Sequence, residues 1–93
     1  MAQWLYSSAG QPIAFASGDA IFLRNGAFLG WLDGDGVWHG TYKGEIVDGD
    51  LLLYNLGRSS TVRGMRGLPA TPALPALPGL RGSRGMPAGY KDL

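Results

Sequence analysis

Apolar positions in the first two-thirds of the chain recur every sixteen residues, not at the three-to-four spacing of a helix. Tyr6, Phe22, Trp38 and Tyr54 share this count, each preceded by an aliphatic residue: Leu5, Ile21, Val37 and Leu53. Ala14, Gly30, Ile46 and Val62 complete the register, and Gly10 and Gly26 close the first two loops. Each unit therefore reads as a short strand, a glycine-bearing loop, a second short strand and a tight turn. Asn25-Gly26 and Asp33-Gly34 are type I′ hairpin signals, and Ser17-Gly18 and Asp48-Gly49 punctuate the corresponding junctions. The pattern predicts an all-β meander of four short hairpin repeats, with almost no room for helix.

Side chains alternate along a strand, so this register sets Leu5, Ala14, Ile21, Gly30, Val37, Ile46, Leu53 and Val62 on one face. The other face collects Trp4, Tyr6, Ile13, Phe15, Phe22, Leu29, Trp31, Trp38, Val47 and Tyr54, interrupted by Glu45, Thr61 and Arg63. A meander apolar on both sides must close to bury one face and cover the other, or it will associate through its edges. The expectation is a small pseudo-four-fold barrel with the aliphatic set inside. Periodicity leaves the reverse assignment open, and it would bury more apolar area. With the aliphatic set inside, Trp4, Tyr6, Phe15, Phe22, Trp31, Trp38 and Tyr54 form the candidate binding face, covered by the chain's own tail or a partner.

The rhythm changes near Thr61. From Arg63 to Gly89 the chain runs in triplets whose first place holds only arginine or proline and whose second place holds only glycine or alanine. The third is mostly Met, Leu or Thr. A period of three matches polyproline II, and the prolines from Pro69 to Pro78 forbid helix and ladder alike. Alanine in the small place excludes a collagen triple helix. The chain divides into a repeat domain, residues 1–63, and a triplet tail, residues 64–93. A disordered low-complexity linker is the competing reading of the tail. Against it stands the apolar stripe of Met65, Leu68, Leu74, Leu77, Leu80 and Met86. Aromatic surfaces are the usual receptors for such segments, so tail and repeat domain are expected to be each other's partner.

Charge agrees. The net charge is only +1, but every arginine except Arg24 lies at or beyond Arg58, whereas six acidic residues from Asp19 to Asp50 precede it. Arg63, Arg66, Arg81 and Arg84 are the candidate basic contacts of the tail. Their spread among prolines, without interleaved aromatics, is not a nucleic-acid footprint. Self-association, a protein partner or peripheral contact with anionic lipid remain open. The 93 residues contain no cysteine, which removes disulfides and thiolate chemistry and fits a cytoplasmic, reducing setting. No apolar run approaches the ~20 residues of a membrane-spanning helix.

Candidate chemistry is thin. Asp33, Asp35, Asp48 and Asp50 have the flavour of a hard-cation site, but Asp-Gly is also what hairpin turns prefer. His39 stands alone, expected at a rim, without a serine or cysteine at motif distance. No phosphate-cradling fingerprint opens a helix among the glycines. No catalytic, metal or cofactor-binding residue is expected, and a non-enzymatic binding or assembly module is the leading functional expectation. A lipid- or small-molecule-binding barrel acting at anionic surfaces is the alternative.

The strand starts Leu5-Tyr6, Ile21-Phe22 and Val37-Trp38, the second-strand signature Phe28-Leu29-Gly30-Trp31 and the basic, proline-bearing tail together resemble the four-fold β-flower proteins. This is a predominantly bacterial family of shallow, pseudo-symmetric β-structures built from four hairpin units. The resemblance covers essentially the whole chain. It implies the architecture and supplies no catalytic residue, although flower-like barrels have been compared with lipid-binding tubby-type folds. The third unit departs at Tyr42, where a loop glycine is expected, and the fourth is degenerate beyond Tyr54.

Overall fold

The computed structural model describes residues 3–58, 62, 64, 67, 69, 75, 76, 78–82 and 87–93. They form an all-β sheet in sequential order: β1 (Gln3–Tyr6), β2 (Pro12–Ser17), β3 (Ala20–Leu23), β4 (Phe28–Asp33), β5 (Gly36–His39), β6 (Thr41–Val47), β7 (Leu51–Asn55) and β8 (Tyr90–Asp92). All neighbours run antiparallel except where β1 meets β7 in parallel at Tyr6 and Leu51, which closes the first seven strands into a barrel. A short 3-10 turn, Leu56–Arg58, follows β7.

Each of the first three hairpins carries the same irregularity. Leu5 pairs with Ala14 but Tyr6 with Pro12; Ile21 pairs with Gly30 but Phe22 with Phe28; Val37 pairs with Gly44 but Trp38 with Tyr42. The skipped residues Ile13, Leu29 and Lys43 are bulges, which bend and twist a strand locally. By bending every hairpin at the same point, they curl a flat meander around an axis. The bulge also explains why Ile13 and Leu29 pack against the axial cluster and not on the aromatic face where strict alternation puts them.

That cluster is Leu5, Ala14, Ile21, Val37 and Leu52, all with zero exposure. Aliphatic side chains therefore line the axis, as the repeat suggested, with one change in the fourth unit. The third hairpin loop is two residues shorter than the second: His39 pairs with Thr41 around Gly40, whereas Leu23 N–H reaches the Ala27 carbonyl across Arg24, Asn25 and Gly26. The β6–β7 turn is one residue longer, with Asp48, Gly49 and Asp50 between paired Val47 and Leu51, against Gly34 and Asp35 between Asp33 and Gly36. The net loss of one residue puts Leu52 on the axis and sends Leu53 to the aromatic face with Tyr6 and Leu51. The two-residue shortening of the β5–β6 loop seats Gly44, not Ile46, opposite Val37.

The turns also differ from expectation. Asn25-Gly26 belongs to a three-residue loop in which Gly26, with φ of 94°, is the left-handed closing residue, and Gly26 N–H returns to the Leu23 carbonyl at 2.8 Å. Gly34-Asp35, not Asp33-Gly34, is the central pair of its turn; Gly34 at φ 67° in first place fits a type II′ geometry.

Val62 does not complete the fourth hairpin. It is 65% exposed and makes an isolated bridge to Thr41. Its expected place is taken by the chain terminus, where β8 pairs Asp92, Lys91 and Tyr90 with Leu53, Tyr54 and Asn55. The tail segment therefore leaves the sheet after β7 and comes back to it.

Close approach at the axis makes a direct prediction. A Cβ on Gly30 would lie 2.7 Å from the Trp38 carbonyl oxygen and 2.9 Å from a Val37 methyl, whereas one on exposed Gly64 meets nothing within 4 Å. Gly30→Ala should destabilise the fold by about 1–3 kcal/mol through overpacking. Gly64→Ala should leave a urea unfolding curve unmoved.

Candidate functional site

Outside the axis, the aromatic residues form a belt. Trp4 stands edge-on to Phe15 at 5.4 Å, Phe15 stacks on Phe22 at 5.5 Å, and Phe22 meets Phe28, which in turn meets Trp31 at 5.4 Å. A second run links Trp38, Tyr42 and Tyr54, with Trp31 and Trp38 cross-strand partners between the two. Tyr6, Phe15, Phe22 and Trp38 are buried, whereas Trp4, Trp31 and Tyr54 are half-buried. Edge-to-face contacts of this kind add about 0.5–1.5 kcal/mol each beyond area burial.

Among the described residues, cations from beyond residue 55 lie on Tyr6, Trp38 and Tyr54 of the repeat aromatics. Arg81 stacks over Tyr6 at 4.6 Å, Arg58 over Trp38 at 5.1 Å, and the Lys91 ammonium over Tyr54 at 5.0 Å. Arg81 also pairs with Asp50 at 2.8 Å. Tyr6 N–H donates to the Asp50 carbonyl at 2.7 Å, so Arg81 straddles the seam at which the barrel closes. Nearby, Asp92 accepts from both Ser8 N–H at 2.9 Å and Ser8 hydroxyl at 2.7 Å. The lopsided charge of the sequence is thus used within the molecule.

The tail crosses the belt at its Trp4 end. Trp4 indole N–H donates to the Ala76 carbonyl at 2.9 Å, and Arg81 N–H donates to the Gly10 carbonyl at 2.8 Å. Gly10, at φ 83°, lies so close beneath that an added Cβ would overlap the Arg81 carbonyl. Pro69, Pro75, Pro78 and Pro87 are half-buried, whereas Ala76, Gly79 and Leu80 are exposed, Leu80 at 74%. Among the described tail residues, then, the prolines are half-buried and Arg81 contacts the sheet, whereas Leu80 is exposed. Arg63, Arg66 and Arg84, like Met65, Leu68, Leu74, Leu77 and Met86, lie outside the described residues.

Reasoning from the sequence missed the buried cluster around Glu45. One carboxylate oxygen accepts from Tyr42 hydroxyl at 3.0 Å, Asn55 Nδ2 at 3.1 Å and Arg58 at 3.1 Å; the other accepts from Tyr90 hydroxyl at 2.8 Å. Tyr42 hydroxyl also accepts from Asn55 N–H, and Arg58 reaches Asp35 at 3.4 Å. The available signal was a lone carboxylate on an apolar face, which demands partners when buried. Burial pushes the Glu45 carboxyl up, but hydrogen bonds from Tyr90, Arg58, Asn55 and Tyr42 outweigh it and hold the group below the usual carboxylate range. Burial drives the Tyr42 phenol upward, and the bond to Glu45 raises Tyr90. The cluster ties β6, β7, the 3-10 turn and β8 together.

His39 ends β5 half-buried, edge-on to Phe28 at 5.2 Å, beside a cavity of about 260 Å³ lined by Trp31, Leu32, Asp33, Trp38, Gly40 and Gly64. The acidic residues serve turns and ion pairs: Asp48 adopts φ 54° beside Gly49, Asp35 meets Arg58 and Asp50 meets Arg81. No group of three or more His, Asp or Glu side chains placed to hold a metal occurs among the described residues, nor does a helix long and apolar enough to cross a membrane.

Because Glu45 is more acidic in the folded chain, its contribution to stability is present above the ordinary carboxylate value of about 4.3 and is lost as pH falls through the lower folded value. Glu45→Gln should flatten that acid limb of the stability curve and cost about 1–3 kcal/mol near neutrality. Urea midpoints for both proteins between pH 7 and pH 3 measure it; parallel acid limbs would contradict the assignment.

A family model described as 4-fold beta flower protein matches residues 3–91. No curated protein and no solved structure matches the chain.

Proposed function

The chain belongs to the 4-fold beta flower family, and from that footing we propose that it is a non-enzymatic binding module whose aromatic belt receives an extended, proline-rich segment. Its own tail is the resident occupant; a segment of like chemistry from a partner, or from a second copy in an assembly, takes its place. The observation that carries this reading is the Trp4 indole N–H on the Ala76 carbonyl. Polyproline II segments have no internal hydrogen bonds, so their carbonyls are open to donors such as an indole, while aromatic faces accept the proline rings. Half-buried Pro75 and Pro78 flank that contact. The lipid or small-molecule alternative draws less support: Leu5, Ile21, Val37 and Leu52 fill the axis, leaving no lumen among the described residues.

A tethered tail competes at high effective concentration. In the test, therefore, the full-length chain carries Pro75→Ser, Pro78→Ser and Arg81→Ala, which weaken the resident segment while keeping β8. A fluorescent peptide spanning residues 69–82 should bind this variant saturably and shift its tryptophan emission, and should bind the unmodified chain at least about tenfold more weakly. Adding Trp4→Phe to the variant should weaken the peptide several-fold through the lost hydrogen bond. Absence of peptide binding by the variant, with its fold intact by circular dichroism, would rule out the receptor reading.

A further inference from the structure

The belt is apolar along its length, but at one point its chemistry is narrower. Arg81 is held three ways: its guanidinium lies over Tyr6 at 4.6 Å, one of its nitrogens is 2.8 Å from an Asp50 carboxylate oxygen, and its backbone N–H donates to Gly10 at 2.8 Å. The carboxylate is largely covered, with 16% of the Asp50 side chain exposed. Five residues upstream, the Trp4 indole takes the Ala76 carbonyl. Pro75, Pro78 and Arg81 are successive first places of the triplet, on one stripe of a three-residue helix. The sheet thus holds the segment at two points, an indole on the backbone carbonyl of Ala76, the residue after Pro75, and a ring with a carboxylate on the Arg81 side chain.

Building on the receptor reading, we infer that the Tyr6–Gly10–Asp50 corner is a specificity pocket for arginine, and that the ligand class is an extended peptide of the form Pro-x-x-Pro-x-x-Arg. Stacking a flat cation on a ring while bonding edge-on to a carboxylate needs the planar, many-donor guanidinium; a lysine ammonium is a compact point charge that does one or the other. The tail agrees: every basic first place in the triplets is arginine, and Lys91, outside them, approaches its ring without a carboxylate contact in the described residues. The two anchors also impose direction. The arginine must lie on the C-terminal side of the prolines, because the indole N–H donates to a carbonyl five residues before it. Gly10 adds a steric condition, since its missing Cβ is what lets the Arg81 backbone descend to the sheet.

The test uses the full-length Pro75→Ser, Pro78→Ser, Arg81→Ala variant and four peptides covering residues 69–82: the native sequence, one with Arg81→Lys, one with Arg81→Ala, and the reversed order. The native peptide should bind tightest. Alanine should cost roughly tenfold or more, as expected for a lost charge-assisted hydrogen bond, lysine several-fold, and reversal at least as much as alanine. Introducing Asp50→Asn into the host should shrink the arginine-over-alanine ratio toward one while leaving the alanine peptide's affinity unchanged. If all four peptides bind alike, the arginine pocket is refuted although the receptor reading stands. Should none bind, both fall. Equal affinity of the native and lysine peptides, or an arginine preference that survives Asp50→Asn, would also overturn the inference. Should Asp50→Asn fail to fold, the comparison of the four peptides on the unmodified corner still decides.

Discussion

Large side chains from several hairpins can meet at one axis only if their strand partners are small. Leu5 faces Ala14, Ile21 faces Gly30 and Val37 faces Gly44, and a Cβ at Gly30 would already crowd the Trp38 backbone. This large-against-small pairing lets the sheet curl tightly enough to close with seven strands. It also consumes the aliphatic residues. The rings, too bulky for the axis, are left on the outer face in a belt that a small domain cannot leave bare. Everything described outside the barrel, the capping cations, the buried carboxylate and the crossing tail, answers that displacement.

Much of this was legible in the chain. The sixteen-residue count put Leu5, Ile21 and Val37 on one face and Tyr6, Phe15, Phe22 and Trp38 on the other, because equal units around a centre must place equivalent side chains equivalently; which face lines the axis is decided by packing and not by the period. Counting failed where units were unequal. A loop two residues shorter and a turn one residue longer are invisible to a fixed period, yet together they exchanged the roles of Leu52 and Leu53. The bulges escaped for a related reason: all three share one position, so the repeat stays in phase across the error while Ile13 and Leu29 change sides.

Partnerships distant in sequence were the other gap. Glu45 was visible as a charge out of place, but its partners Arg58 and Tyr90 come from segments that no spacing rule connects to β6. The count places the eighth strand at Val62, whereas Tyr90–Asp92 forms it. Three residues can serve there because Tyr90 brings a hydrogen bond to a buried carboxylate, Lys91 a ring contact and Asp92 two bonds to Ser8. A short strand is selected by its side-chain contacts when its ladder is this brief.

The returning strand changes what a covering tail can be. Residues 56–89 run from Asn55 in β7 to Tyr90 in β8, so the crossing segment is a loop fixed at both ends and not a free arm. Closing such a loop costs entropy that grows only slowly with its length, and once β8 is seated that cost has been met before Trp4 or Arg81 makes any contact. Among the described residues, the indole bond to Ala76 and the contacts of the half-exposed Arg81 then need not supply that closing cost. Displacement on the receptor reading is likewise a local event: Ala76 and Arg81 leave Trp4 and Tyr6 while the Glu45 cluster keeps β7 and β8 paired. A competing segment must overcome the local concentration of a doubly anchored loop, which favours partners that present several Pro-x-x-Pro-x-x-Arg registers at once over a lone copy of the motif.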